Sequence, residues 1–313
     1  MSTSTRPVVV AVDGTELSAG AIAYAVQEAL LRGVDLLVVH VSPTYVPLLP
    51  PGPMVPMMGS VPPLLEAESR DLLEGICAGI EAEAPHVVVR PVLCRGPVSG
   101  SILDVAQDAH VLVVGQETRT GIDRWAVGAT TVKVAARASC PVVAVPVLWR
   151  PGEARHRLVV GVRSITDAPG LLDQAFAMAA NRTDTLVVVH AWQLPDPYLD
   201  LLEARGHRDE WTARGEELLE EVLAGPRAAF PEVRVETHVV HREPARALVE
   251  AARDADMLLL ARRARRHGRL ARLGTTARAV LHRTPCPVTV LPASADADSA
   301  WGLELEDSGG LLR

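Results

Sequence analysis

Aromatic residues and lysine are scarce in this sequence. Aromatic residues make up 3% of the 313 residues, and Lys133 is the single lysine. So few rings argue against the stacked aromatic platform with which proteins bind single-stranded nucleic acid. Acidic residues outnumber basic ones by 38 to 31, and the net charge of −7 gives no basic field that would attract a polyanion. A nucleic acid is therefore not an expected partner.

Paired cysteines and membrane-spanning segments are also missing from the sequence. The 4 cysteines include no Cys-x-x-Cys pair, so neither a zinc site nor a redox pair is indicated. No apolar run reaches the length of a transmembrane helix, and the N-terminal residues lead into a strand-like run without the pattern of a signal peptide. We therefore expect a cytoplasmic protein with no membrane partner.

One long segment of the sequence occurs twice. Val111–Gly115 is followed thirteen residues later by Gly128–Thr131, and Met257–Ala261 is followed at the same spacing by Gly274–Thr276. The offset of about 146 residues is too long for a solenoid of small repeats and indicates two copies of a whole domain. We expect domain 1 over residues 1–148, a linker over 149–156, domain 2 over 157–292 and a disordered acidic tail over 293–313.

Short apolar runs alternate with helical patterns in both copies. The strands expected in the first copy are Val8–Val12, Leu36–Val41, Val87–Leu93, Val111–Val114 and Val142–Val145. Those expected in the second are Leu158–Val162, Leu186–His190, Val233–Val240, Met257–Leu260 and Val288–Leu291. A helix is expected over Ala19–Arg32, with Gly33 ending it. This order predicts an α/β fold of two tandem doubly wound domains, each a five-stranded parallel sheet with helices on both faces.

In a doubly wound sheet, ligands bind at the carboxyl ends of the strands. Asp13 ends the first strand of the first copy, where its carboxylate can accept hydrogen bonds from a base amino group or a ribose hydroxyl. Val41, at the end of the second strand, offers main-chain groups to a base edge. Gly115 ends the fourth strand, and a glycine there allows a ligand close to the main chain.

A helix is expected to open at Gly128–Thr131. Free N–H groups at a helix N-terminus, together with the helix dipole, favour a phosphate. The hydroxyl groups of Thr130 and Thr131 would add two donors. The first copy therefore has the parts of a phosphate site at this point.

These residues resemble the universal stress protein family, in the tandem-domain form of its actinobacterial members. The resemblance rests on Val12–Thr15, Val38–Val41, Val113–Gly115 and Ala138–Val143, and it covers about 270 residues. It implies strand order 3-2-1-4-5, and ATP binding in one subgroup of the family but not in another. It also implies that the last strands of the two domains pair as a pseudo-dimer, and it leaves further homodimerisation open.

The family's nucleotide-binding members have Asp after the first strand, then glycine, two residues, glycine, nine residues, glycine and Ser or Thr. The first copy matches this pattern at Asp13, Gly115 and Gly128, but has Thr118 and Ala129 in place of the second glycine and the Ser or Thr. The resemblance thus implies that any ATP site, with Mg²⁺ bound to the nucleotide, lies in domain 1. Its candidate residues are Ala11, Asp13, Val41, Gly115, Thr118, Gly128, Ala129, Thr130 and Thr131.

The second copy departs further from the pattern. Arg163 stands at the Asp position, and Ala261 and Ala264 replace the two early glycines, while Gly274 is retained. A guanidinium only donates hydrogen bonds, so we expect no ATP site of the family type in domain 2. The Arg-rich loop over 262–272 is interpreted as a solvated loop or as a site for an anion or an acidic partner surface.

The Pro- and Met-rich segment over 43–63 has three interpretations: a stiff connector, a mobile lid or a docking segment. Catalysis has little support, because the sequence has no metal-ligand cluster, no P-loop and no nucleophile elbow. His40 and His190, at matched strand ends, are expected to be structural. The sequence thus predicts a stress-response nucleotide-binding or signalling protein with at most weak ATP hydrolysis. The alternative is a protein-interaction module that binds no nucleotide.

Overall fold

The computed structural model describes residues 6–42, 63–116, 129–152, 154–165, 169–194, 196, 198, 200, 205–262 and 272–292. The chain divides into two compact units, whose main segments are residues 1–153 and 154–280. Thr118, Gly128, residues 43–62, most of the Arg-rich loop and the acidic tail lie outside the described residues. None of the helices among those described is long and apolar enough to span a bilayer.

The first unit alternates strands and helices. Its elements are β1 (Val8–Val12), α1 (Ala19–Arg32), β2 (Leu36–Ser42), α2 (Pro63–Glu83), β3 (Val89–Arg95), α3 (Val98–Val105), β4 (Val111–Gln116), α4 (Ala129–Arg137) and β5 (Val142–Pro146). The strands lie in the order β3-β2-β1-β4-β5, and neighbouring strands are parallel. This confirms the order 3-2-1-4-5. Crossovers between parallel strands are almost always right-handed, and with this strand order they put α1 and α2 on one face and α3 and α4, which contact each other, on the other.

The second unit repeats this arrangement. Its elements are β6 (Arg157–Val162), α5 (Pro169–Arg182), β7 (Thr185–Trp192), α6 (Arg208–Ala229), β8 (Val235–His241), α7 (Pro244–Ala251), β9 (Met257–Ala261), α8 (Thr275–Arg283) and β10 (Val288–Leu291). The order is β8-β7-β6-β9-β10, the same as in the first unit, and the pairs β6–β7, β6–β9 and β7–β8 are parallel. The predicted α/β class is therefore confirmed in both units.

The core of each unit is aliphatic, as the composition requires. Val8, Val9 and Val10 in β1 are fully buried, and so are Leu258 and Leu259 in β9. Burial on both faces explains why these strands are continuous apolar runs with no polar alternation. β-Branched side chains also favour the extended backbone of a strand.

The bounds of β1, α1 and β10 match the prediction to the residue. β3 lies two residues later than predicted, at Val89–Arg95, because Val87 belongs to the turn after α2 and donates its N–H to the Ala84 carbonyl. Hydrophobic runs do not distinguish the end of such a turn from the start of a strand.

Candidate functional site

A cavity of about 340 Å³ lies at the carboxyl ends of β1, β2 and β4, next to α3 and α4. It contains six of the candidate residues: Ala11, Asp13, Val41, Gly115, Thr130 and Thr131. Two others, Thr118 and Gly128, lie outside the described residues, and Ala129 is the first residue of α4. The topology thus brings residues more than a hundred positions apart in sequence to one place.

Asp13 is held in a short loop between β1 and a 3₁₀ turn. Its Oδ1 accepts hydrogen bonds from the Thr15 main-chain N–H at 3.0 Å, the Thr15 hydroxyl at 2.8 Å and the Ser18 hydroxyl at 2.9 Å. Gly14 makes the bend with φ of +81°, a conformation that favours glycine. Among the described residues, every hydrogen bond to this carboxylate reaches Oδ1, so Oδ2 is left to accept from a ligand.

The carboxylate of Asp13 is held in its ionised form. Partial burial opposes ionisation, but the hydrogen bonds from Thr15 and Ser18 outweigh it and lower the pKa of Asp13 below its usual range. At neutral pH the cavity therefore has a fixed hydrogen-bond acceptor at its rim.

Val41 lies where β2 extends beyond β1. β1 ends at Val12, opposite His40, while β2 continues to Ser42. Along a strand of a parallel sheet, the N–H and C=O of one residue point to one neighbouring strand, and those of the next residue point to the other. Leu36 points toward β3, because its N–H donates to the Val88 carbonyl. Val41 is an odd number of residues after Leu36, so its N–H and C=O point toward β1. β1 has already ended at this level, which leaves these two groups without a strand partner on that side. This geometry fits the predicted contact with a base edge.

Gly115 is a glycine for a different reason from the one expected. A Cβ at this position would lie 3.0 Å from the Leu17 carbonyl oxygen, so the main chain of the 3₁₀ turn occupies that space rather than a ligand. The Gly115 carbonyl also accepts a hydrogen bond from the Thr131 hydroxyl at 3.0 Å. The structure therefore gives the Thr131 donor an internal partner, whereas Thr130 is half-buried at the cavity.

Gln116, at the end of β4, carries a buried amide without a partner. Its side chain is fully buried, and neither Nε2 nor Oε1 has a hydrogen bond within the described structure. It shares a face of β4 with Val114, which lines the cavity. Buried amides nearly always have partners, so this group marks unfilled hydrogen-bonding capacity beside the cavity.

Eight of the residues that line the cavity were not among the candidate site residues, and three of these shape the site. Ser18 fixes Asp13, and Val98 and Ile102 contribute an apolar wall from α3. The apolar wall could have been predicted, because two apolar residues four positions apart on a short helix after β3 lie on the same face of that helix. Ser18 could not, since a serine five residues after an aspartate is common in any loop.

The second unit has a smaller cavity in the same place, of about 160 Å³. Gly161 replaces Ala11, yet Leu260 and Leu248 fill the space, since a Cβ on Gly161 would lie 2.6 Å and 2.8 Å from their methyl groups. Arg163 replaces Asp13 at the rim. The two cavities thus differ in volume and in the hydrogen-bonding character of their rims.

The two matched histidines have internal partners. His40 Nδ1 donates to the Val12 carbonyl, and His190 Nδ1 donates to the Val162 carbonyl, each at 3.0 Å. Both rings therefore tie the second strand of a unit to its first strand, which supports a structural role. In the part of the chain that the structure describes, no group of three or more His, Cys, Asp or Glu side chains could hold a metal ion.

Comparison with known proteins identifies the family. The model of the universal stress protein family matches residues 4–146 and again residues 154–292. The chain belongs to the universal stress protein family. Universal stress protein Rv2005c of Mycobacterium tuberculosis is 28% identical over 292 residues, which cover 90% of this chain and 96% of that protein. The resemblance to tandem-domain members from actinobacteria is thereby confirmed.

Solved structures of the family share the fold. A universal stress protein from Archaeoglobus fulgidus DSM 4304 covers 94% of this chain and 98% of its own, with a TM-score of 0.66 and 16% sequence identity. A structure of the universal stress protein from Archaeoglobus fulgidus in complex with dAMP covers 45% of this chain and 98% of its own, with a TM-score of 0.32 and 25% identity. The first of these extends the likeness of fold over both units.

Proposed function

We propose that this universal stress protein binds an adenine nucleotide, ATP in particular, in the cavity of its first domain, and acts as a cytoplasmic stress-response signalling protein. The proposal takes residues 1–148 and 157–292 as the two domains and residues 149–156 as the linker. The observation that carries it is Asp13, which is ionised, fixed through Oδ1 and open at Oδ2 beside the cavity. A carboxylate oxygen held in this way suits a ribose hydroxyl or a base amino group.

The cavity and its surroundings fit such a ligand in three respects. Its volume of about 340 Å³ lies within the range of small-molecule sites. Val41 and the wall of α3 provide main-chain groups and apolar surface for a base. Thr130 and the start of α4 provide donors for a phosphate, and the buried amide of Gln116 lies close by without a partner.

The proposed mechanism is binding, with slow hydrolysis at most. Asp13 is the sole carboxylate among the described residues of the cavity, and Mg²⁺ is usually held by one or two carboxylates together with the phosphates of the substrate. Mg²⁺ would therefore enter with the phosphates of ATP. Asp13 would position the nucleoside, while Thr130 and the helix start would hold phosphate oxygens. Among the described residues of the cavity, no second carboxylate is then left to act as a base.

The alternative function is a protein-interaction module that binds no nucleotide. It is favoured by the Thr131 hydroxyl, which is already bonded to Gly115, and by Ala129, which removes one donor that the family pattern supplies. Both changes reduce the donors available to a phosphate. The two functions differ in whether ATP binds at Asp13.

Calorimetric titration of Asp13→Asn with Mg·ATP tests the proposal most directly. Asparagine retains Oδ1, and with it the hydrogen bonds from Thr15 and Ser18, but places an NH₂ donor where Oδ2 accepted. We expect the loop to remain and ATP binding to weaken roughly 10- to 100-fold, the effect of one lost hydrogen bond to a charged group.

The control for this titration is Arg163→Gln, which changes the matched position of domain 2. It should leave ATP binding unchanged. No heat from the intact chain at millimolar ATP would favour the protein-interaction module. Equal binding by the intact chain and Asp13→Asn would place the nucleotide elsewhere.

A further inference from the structure

We propose that the cavity of domain 2 binds a small amphipathic carboxylate, of which benzoate is the model, rather than a nucleotide. This site is separate from the proposed nucleotide site, because every residue lining it belongs to the second unit. The proposal depends on three properties of the cavity: where its cations stand, how apolar its floor is, and how small it is.

Two arginines stand at the rim. Arg163 follows β6 and Arg262 follows β9, and these strands are neighbours, so both guanidinium groups originate from adjacent strand ends. Each arginine also interacts with other groups of the chain, but a guanidinium has five N–H donors and can bind a carboxylate in addition. Among the described residues that line the cavity, there is no Asp or Glu that would repel a ligand carboxylate.

The floor below the arginines is apolar. Val189 and Ala191 lie two residues apart on β7 and share one face, as do Gly161 and Arg163 at the end of β6. Leu248 on α7 closes the opposite side and is buried. A ligand that fills this site therefore needs an apolar body and an anionic group at one end.

The volume of the domain 2 cavity limits the size of the apolar part of the ligand. A cavity of about 160 Å³ is half that of domain 1 and too small for a nucleoside with its phosphates. An apolar cavity of about 150 Å³ is known to hold a benzene ring. A ring or a short branched chain thus fits the floor, while its carboxylate reaches Arg163 and Arg262.

The hydroxyl groups of Thr275 and Thr276 complete the rim. Both residues lie at the cavity, at the start of α8. They can donate hydrogen bonds to a carboxylate oxygen that the arginines leave unfilled. The site therefore has a polar end for one anionic group and an apolar end for one small hydrophobic group.

The test is a ligand-observed NMR titration of the full chain with benzoate, beside benzyl alcohol and inorganic phosphate. We expect saturable benzoate binding and none by benzyl alcohol, which has the same ring without the charge. Arg163→Gln should weaken benzoate binding at least about tenfold, the effect of losing a charge-assisted bond. Ala191→Leu, which fills the floor, should abolish it.

Two controls keep the outcome clear. Arg214→Gln removes an arginine of α6 whose carboxylate partner is Glu217, and it should leave benzoate binding unchanged. Asp13→Asn should also leave it unchanged, which separates this site from the nucleotide site. If Ala191→Leu fails to fold, Arg163→Gln decides alone. Absence of benzoate binding, equal binding of benzyl alcohol, or binding insensitive to Arg163→Gln would overturn the proposal, as would saturable phosphate binding without benzoate binding.

Discussion

At the scale of single residues, Asp13 organises the loop on which the domain 1 site depends. One of its oxygens accepts hydrogen bonds from Thr15 and Ser18, and the other accepts none from the described residues. The structural role of this side chain therefore uses Oδ1, and the binding role that we propose for it would use Oδ2. Substitutions can separate them, because asparagine retains the first oxygen and alanine retains neither.

Acid sensitivity should depend on Asp13. Its folded pKa is lowered, so its hydrogen bonds stabilise the fold above the pKa of the unfolded chain and are lost as pH falls through the folded value. We expect Asp13→Asn to be roughly 0.5–1 kcal/mol less stable than the parent at pH 7, and the gap to narrow as the pH falls below about 4, the pKa of an aspartate in the unfolded chain. Urea unfolding at pH 7 and pH 3.5 measures the gap. A gap of the same size at both values would contradict the assignment.

A second residue-scale prediction concerns the tight approach at Gly115. The Cβ of Gly115→Ala would press on the Leu17 carbonyl, so we expect the variant to lose about 1 kcal/mol of unfolding free energy. Gly75→Ala in α2 is the matched control, because its Cβ meets open space and alanine favours the helix. The control should gain up to about 1 kcal/mol in urea unfolding. Unchanged stability of Gly115→Ala would mean that the approach is loose.

At the scale of elements, the first helices of the two units end in the same backbone conformation but at different residue types. The first helix of each unit ends in the left-handed conformation, at Gly33 with φ of 63° and at Thr183 with φ of 58°. The following residues, Val34 and Asp184, donate matched hydrogen bonds back to Ala29 and Ala179. A β-branched residue is strained in this conformation, whereas glycine is not.

This strain predicts opposite effects at the two helix ends. Thr183→Gly should raise the unfolding free energy by about 1 kcal/mol, and Gly33→Thr should lower it by a similar amount. The space around Gly33 is open, so the cost there is conformational rather than steric. Thermal unfolding of both variants measures the pair. Shifts in the same direction would show that the backbone conformation is not the cause.

Elements could be predicted well from the sequence, because continuous apolar runs and helical spacing are local signals. β1 and α1 were placed to the residue, and the convergence of Asp13, Val41 and Gly115 follows from the topology of parallel strands. The partner of Thr131 could not be predicted, since it depends on the distance between α4 and β4.

At the scale of the whole molecule, the two copies share one fold, but their cavities differ in lining residues and in volume. The sequence showed the loss of the aspartate at Arg163, but not the smaller cavity of domain 2. The volume is smaller because Leu248 of α7 and Leu260 of β9 both pack against Gly161 of β6. Such packing depends on three segments at once and has no local signal. The pairing of the two domains through their last strands stays a prediction.

The number of nucleotide sites per chain tests the central claim most directly. Equilibrium dialysis of the full chain against labelled ATP should give one site per chain, with an affinity that is roughly 10- to 100-fold weaker in Asp13→Asn and unchanged in Arg163→Gln. That result follows if domain 1 alone combines an open acceptor at Asp13 with a cavity of about 340 Å³. Two sites per chain, or one site that Arg163→Gln weakens and Asp13→Asn does not, would contradict it.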